Sequence, residues 1–471
     1  MPATAQDAPP PTWWSDSRAV LAIVAVSLGA KLFLASHYYG FLTGDDVEVV
    51  QAAAKYALGF EYQPWSLRCL FHPALLVSPF VKVLAGSGPA FDPLRVAWAA
   101  SLPAMLASTA SIGMVFRFAV VLRAPRWTAV LASAFFATHY LPLAYGSMPF
   151  PRPISTMFFL AALLAAAEPS RVRAFLGGVL VAAAFAVRFS EGILLLPFLW
   201  FLWRRHRSAA LVVVGAAGAL FGSGLFVGLV DAATWGRPFA SFFEFFRIMY
   251  FERTSAFWRA DKPWFWYATS VLQWAGPAAL ILVFLSWSRA QARTALVVVA
   301  AVVAGYSVFA YKAYRYLQAA IPFLAIAMAF GYGRLLESER RWRRWTGVLL
   351  AALAVGWSVE RTVSLMRDRS MDAVDAALLL GHRQGGLLVL EQGWAYGGRL
   401  ILGNQVAIRD LPPQTPLGLE PSVLQGADAA AFYQRDLSKS DLDVLREAGF
   451  RRIGRFDRYR KPVAVFERRS R

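Results

Sequence analysis

Ala19-Val-Leu-Ala-Ile-Val-Ala-Val-Ser-Leu-Gly-Ala-Lys31-Leu-Phe-Leu-Ala-Ser36 is almost unbroken in apolar residues, and Thr43-Gly44-Asp45-Asp46-Val47-Glu48-Val49-Val50-Gln51 follows it closely. A membrane crossing takes roughly 20 apolar residues, and the first stretch nearly supplies them. It comes after a proline-rich head, Pro9-Pro10-Pro11, with Asp7 and Asp16. That head has no basic leader, and no small-residue cleavage site follows the run. It therefore reads as a transmembrane helix rather than a signal peptide. The second stretch places Asp45, Asp46 and Glu48 at the membrane surface just beyond that helix. The two together frame the chain as a membrane-embedded body with an acidic edge on one face.

Composition extends this reading to the whole chain. Of 471 residues, 58% are hydrophobic and 16% are charged, and the mean hydropathy is +0.46. Ordinary soluble chains are about 45–50% apolar and about 25% charged, so a soluble multidomain enzyme is excluded. A net charge of +19 in so apolar a chain points to membrane surfaces and not to nucleic acid. Only seven of the 48 basic residues are Lys, so Arg carries the charge. Cys69 is the only cysteine, which excludes an internal disulfide framework and a cysteine metal site. Residues 371–471 hold 15 basic and 12 acidic side chains, a balance typical of a soluble domain. The expected organisation is an all-α polytopic membrane domain over 1–365, followed by a small extracytoplasmic α/β domain over 366–471.

Apolar runs near 19–36, 94–116, 128–145, 154–167, 174–187, 192–203, 209–230, 266–287, 294–310, 316–334 and 345–363 predict about eleven spans. Basic clusters at Arg117/Arg123/Arg126, Arg171/Arg173, Arg204/Arg205/Arg207, Arg289/Arg293 and Arg340/Arg341/Arg343/Arg344 alternate with less basic connections. Short Lys/Arg-rich loops stay cytoplasmic. The pattern therefore predicts a cytoplasmic N-terminus and an outside C-terminal domain. Residues 70–85, with His72, Pro73, Pro79 and Lys82, are expected to lie along the outer face, because a span there would break the alternation. In the tail, 386–392 and 462–467 read as strands, and 440–448 reads as a helix with Ser440 as its N-cap.

Three segments on the outer side have the composition for chemistry. Crowded carboxylates raise at least one pKa in the group, and a general base needs a carboxylate held by its neighbours. Asp45 and Asp46 meet that description; either also suits an N-cap for a helix over 47–58. The loop 231–265 interleaves aromatics with Arg237, Arg247, Arg253, Arg259 and Lys262, and ends in Pro263-Trp264-Phe265-Trp266-Tyr267. Aromatic rings anchor at headgroup depth and Arg pairs with phosphate, although an ordinary interfacial belt has the same composition. The third segment, Tyr311-Lys312-Ala313-Tyr314-Arg315-Tyr316, sets two cations at an outer helix end. Arg152 and Arg188 are similarly placed, and charges at membrane depth are costly. Gly177-Gly178 and Gly222/Gly224 read as sites of close helix packing. His72 and His139 have no partner at metal-ligand spacing, and there is no ATP-binding Gly-Lys-Ser/Thr loop.

This arrangement resembles the GT-C superfamily of membrane glycosyltransferases, and within it glycosyltransferase family 22. Asp45-Asp46 resembles the family's Asp-Glu pair. Gly59-Phe-Glu-Tyr-Gln-Pro-Trp65-Ser-Leu-Arg68 resembles its Gly/Tyr/Trp/Arg stretch. Asp231 to Tyr267 resembles its large outer loop, which ends in Pro-Trp-x-Trp-Tyr, and Tyr311 to Tyr316 resembles its His-Lys-Glu-x-Arg-Phe motif. The chain departs from the family in having Asp for Glu in the pair, and Tyr311 and Ala313 where the family has His and Glu.

The resemblance implies an inverting transferase of a bacterial inner membrane that uses a polyprenyl-phosphate sugar, mannose in this family. The acceptor would be an extracytoplasmic glycan or glycolipid. Asp45 or Asp46 would deprotonate the acceptor hydroxyl. Lys312 and Arg315 would offset the charge that develops on the leaving phosphate, with Arg188 and Arg247 as further cations. Glu48, Arg68, Trp264, Trp266 and Tyr267 complete the expected substrate-binding set. No metal is required for a monophosphate leaving group, although the acidic pair is compatible with one. The alternatives are the same fold using an arabinose- or aminoarabinose-type lipid-phosphate sugar, or a polytopic lipid or sugar transporter.

Overall fold

The computed structural model describes residues 13–86, 91–252, 262–309, 311–381, 386–412 and 414–469. Asp7, Pro9 to Pro11, Arg253 and Arg259 lie outside the described residues. The chain divides into two compact units. One contains residues 1–32, 104–146 and 151–361, and the other 33–103, 147–150 and 362–471.

The first unit is helical. Among the described residues of the whole chain, six helices are long and apolar enough to cross a membrane: Asp16–His37, Pro93–Val121, Ala209–Trp235, Ala290–Ser307, Tyr314–Leu336 and Arg341–Leu380. The other segments of the expected eleven are helical but shorter or interrupted. Arg152–Ala165 has 14 residues and Arg171–Val187 has 17, about 21 and 25 Å at 1.5 Å per residue. His139 leaves the helical region and separates Arg126–Thr138 from Tyr140–Ala144. Residues 266–286 are split into three pieces, the last set off by Gly276 at φ +89° and Pro277. Length and composition thus single out six helices, and a count of eleven includes the shorter ones.

Glycine allows a close helix crossing. A Cβ on Gly178 would lie 2.0 Å from the Gly215 carbonyl oxygen, and one on Gly218 would lie 2.1 Å from that of Phe175. Any side chain there forces Arg171–Val187 and Ala209–Ser223 apart. Gly222 meets Ala182 in the same way, at 2.7 Å. Gly224 does not fit the packing expectation, since a Cβ there would meet nothing within 4 Å.

The second unit is built on a five-stranded sheet, β1 (Leu387–Glu391), β2 (Ala407–Leu411), β3 (Ala429–Tyr433), β4 (Phe450–Phe456) and β5 (Val463–Arg468), in the order β2-β1-β3-β5-β4. β1 pairs in parallel with β2 and β3, while β5 runs antiparallel to β3 and β4. The two strands expected from sequence are β1 and β5. The tail helix is Lys439–Glu447, with Ser438 rather than Ser440 as N-cap, because Ser438 and Asp441 close a reciprocal capping box.

The tail shares its core with the first loop. Helix α1 (Trp13–His37) precedes helix α2 (Gly44–Leu58). The apolar face of α2, with Val47, Val50, Ala53 and Ala54, is buried in one cluster with Ala373, Leu380, Leu388, Leu390, Ala431 and Val465. Val77, Val81 and Ala85 join the same cluster from residues 70–85, which form a π-helical turn, Phe71–Val77, running into Ser78–Leu84. Gly398, at φ +56°, has no side chain because Gln51 and Val47 of α2 occupy that space, at 2.7 and 3.2 Å from a Cβ. The opposite sheet face is covered by Leu417, Leu424 and Leu445.

Candidate active site

In the second unit, the acidic segment is the first turn of α2. Thr43 is the N-cap and Asp46 the N3 residue of a capping box. Neither Asp45 nor Asp46 is itself the N-cap; the helix starts earlier than the expected 47–58. Asp46 Oδ2 accepts from the Leu42 N–H at 2.8 Å, and Oδ1 accepts from the Thr43 N–H at 2.9 Å and the Thr43 hydroxyl at 2.5 Å. The side chain is fully buried. Burial raises the Asp46 carboxyl above the usual range, against the opposing pull of the Thr43 and Leu42 donors and the Arg369 charge. Asp46 is therefore committed to holding its own helix start.

Asp45 is placed differently. Its carboxylate forms an ion pair with Arg68, and its side chain remains 12% exposed. Arg68 also lies over the Trp65 ring, 5.5 Å from its centroid. Glu48 lies one turn along the helix. Its carboxylate accepts from the Trp65 N–H at 2.8 Å and from the Tyr62 hydroxyl. Lys55 donates to the Tyr62 carbonyl at 2.9 Å. Glu48, expected as a substrate ligand, thus pins the 59–68 loop to α2 and so aims Arg68 at Asp45. Burial raises Glu48 as well, opposed by its Tyr62 and Trp65 hydrogen bonds.

In the first unit, residues 262–267 are tied to residue 309 and to residues 311–316. Lys312 is buried, and its amine donates to the Lys262 carbonyl at 2.9 Å and to the Phe309 carbonyl. Lys262 Nζ returns a bond to the Lys312 carbonyl at 3.1 Å and sits 3.8 Å from the Trp266 ring centroid. Tyr267 is fully buried and donates to the Ala313 carbonyl at 3.1 Å. Trp266 stacks on Tyr314 at 4.8 Å between centroids. Arg315 donates to the Tyr311 hydroxyl at 3.2 Å and remains partly exposed. The structure thus brings Trp266, Tyr267, Lys312 and Arg315 together. Trp264 is 73% exposed. Arg247 is exposed as well, and its guanidinium is held by Glu244 on the same helical turn at 2.5 and 2.9 Å.

A buried network beside this cluster was not legible as a unit. Arg152 is 1% exposed and pairs with Glu191 at 2.5 Å. It also bonds to Tyr306 at 3.2 Å and lies 4.0 Å from the Tyr316 ring centroid. Glu191 in turn accepts from the Tyr306 hydroxyl at 2.6 Å. Arg188, half-buried, adds its charge near Glu191. The sequence signal was an Arg and a Glu at the ends of separate apolar runs, each too costly to bury alone.

The family model described as the Alg9-like mannosyltransferase family matches residues 49–380. The chain belongs to that family. The match begins just after Asp45 and Asp46 and takes in both aromatic-basic segments. Solved structures support the fold. The crystal structure of ArnT from Cupriavidus metallidurans bound to undecaprenyl phosphate aligns with a TM-score of 0.57 at 16% identity, covering 95% of this chain and 97% of that one. Its apo form aligns equally well, with a TM-score of 0.57 at 14% identity over 96% and 98% of the two chains. The apo oligosaccharyltransferase of Archaeoglobus fulgidus aligns with a TM-score of 0.53 at 9% identity, over 88% of this chain and 69% of that one. A sequence search among curated proteins gives no match. The transferase is thus a membrane glycosyltransferase of the GT-C fold.

Proposed function

We propose that the transferase moves mannose from a polyprenyl-phosphate donor to a hydroxyl of an extracytoplasmic glycan or glycolipid, with inversion at the anomeric carbon. Asp45 takes the acceptor proton as the acceptor oxygen bonds to C1. The bond from C1 to the phosphate oxygen breaks, and its electron pair leaves with the polyprenyl phosphate, which gains one negative charge. Arg315 offsets that charge, while Lys312 shapes the backbone around it. One phosphate group needs less neutralisation than a diphosphate, so side-chain cations suffice. In this reading the protein sits in a bacterial inner membrane. Its Arg-rich loops are cytoplasmic, and α2 and the sheet domain are outside.

The observation that carries the reading is the division of labour at the start of α2. Asp46 is spent on the cap, whereas Asp45 keeps part of its side chain exposed and is oriented by Arg68. A base must be positioned in this way to act. The family match supports mannose, and the fold match to ArnT with undecaprenyl phosphate supports a lipid-phosphate donor.

The test is transfer by detergent-purified protein from labelled undecaprenyl-phosphate mannose, arabinose and aminoarabinose to extracted membrane glycolipids. Mannose alone should be incorporated. Incorporation only from the other two donors would reassign the sugar, and no incorporation from any would refute the reading.

A further inference from the structure

The proposed chemistry leaves most of the arginines of the helical unit without a task. Several of them converge on two adjoining hollows at one end of that unit. The first hollow, of about 610 Å³, has Arg117, Arg173 and Arg205 at its edge and Phe116, Val120 and Leu164 as its wall. The second, of about 310 Å³, is lined by Arg123, Arg204 and Arg205, with Phe201 and Leu122. Both hollows include Arg205 and Val121 in their lining, so they adjoin. Glu168 is the single acid lining either one, and it pairs with Arg173. Five guanidiniums thus face one carboxylate.

Helix dipoles explain only part of this. Arg204 and Arg205 end Leu195–His206, where cations are favoured. Arg171 and Arg173 lie in the first turn of the 17-residue helix Arg171–Val187, where cations are disfavoured and anions bind. Arg123 has φ +60°, a position just past a helix end that favours glycine. An arginine in that conformation is costly, and it turns a cation toward the second hollow. Each hollow therefore joins an apolar wall to a cationic edge, at helix ends in a chain that crosses a membrane. This is the chemistry of a phospholipid headgroup with the first carbons of its acyl chains.

We propose that these two hollows form one binding site for an anionic phospholipid carrying two phosphates, one phosphate per hollow with Arg205 between them. The site is independent of the sugar donor and acceptor.

Native mass spectrometry of the delipidated full-length protein tests this, with titrations of tetraoleoyl diphosphatidylglycerol, dioleoyl phosphatidylglycerol, dioleoyl phosphatidylcholine and inorganic pyrophosphate. The two-phosphate lipid should bind about tenfold or more tightly than phosphatidylglycerol, the difference expected from one further ion pair. Arg117→Gln with Arg205→Gln should lower its binding about tenfold. Arg341→Gln with Arg343→Gln removes the same charge from exposed positions elsewhere and should leave binding unchanged. Equal binding of phosphatidylglycerol or phosphatidylcholine overturns the proposal. So does an equal loss in the control pair, or pyrophosphate binding as tight as the lipid's.

Discussion

Asparagine substitutions at Asp45 and Asp46, made one at a time, separate a catalytic role from a structural one. Asp46 accepts three hydrogen bonds with no exposed surface. An amide in its place keeps one oxygen, enough for the two Thr43 donors. It then presents an NH2 group to the Leu42 N–H, so one bond to a charged acceptor is lost and a buried donor is stranded. Together these cost about 2–4 kcal/mol. Asp46→Asn should therefore melt several degrees lower in a fluorimetric unfolding scan, while the fraction still folded keeps its turnover. Asp45→Asn loses only a partly exposed ion pair, worth about 1 kcal/mol or less. Its turnover should nevertheless fall about 10²–10⁴-fold, the range for losing a general base. Normal turnover in Asp45→Asn, or a dead but fully stable Asp46→Asn, would refute this assignment.

Two further outcomes follow from buried charge. Glu391, at the end of β1, is fully buried, and burial pushes its carboxyl up to about 8. The folded unit keeps a proton there that the unfolded chain releases near pH 4.5, so this group's contribution is complete at low pH and is lost as the pH rises toward 8. The ceiling is about 5 kcal/mol at 1.36 kcal/mol per pKa unit. Glu391→Gln should thus melt higher than wild type at pH 8.5 and converge with it near pH 5; a constant difference across that range would count against the buried acid. Arg152→Met should destabilise by about 3–5 kcal/mol by leaving Glu191 buried without its partner. Adding Glu191→Met should recover most of the lost melting temperature, and a double variant no better than the single one would contradict the pairing.

How far the sequence could be read depended on the range of the contacts. The acidic segment after the first apolar run was legible, but its place in the helix was not: Asp45 or Asp46 was expected as the N-cap, whereas Thr43 caps and Asp46 closes the box from N3. The interior strands β1 and β5 were visible as short apolar runs, Leu387-Leu-Val-Leu390 and Val463-Ala-Val-Phe466. The roles of Glu48 and Lys312 were not, because Glu48 bonds Tyr62 and Trp65 across a loop and Lys312 meets carbonyls from residue 262. Hydropathy marked 128–145 and 266–287 as continuous apolar stretches, whereas His139 and Gly276-Pro277 interrupt the helices there. Nothing local names the strands from residues 387–466 that cover the apolar face of α2.

That shared interior makes residues 33–103 and 362–471 a single inheritance despite the 258 positions between them. A chimera that borrows the tail of a relative while keeping its own acidic helix would bring together two halves of a hydrophobic interior that were never fitted to each other. Grafts meant to change which acceptor is glycosylated should carry both stretches from the same parent.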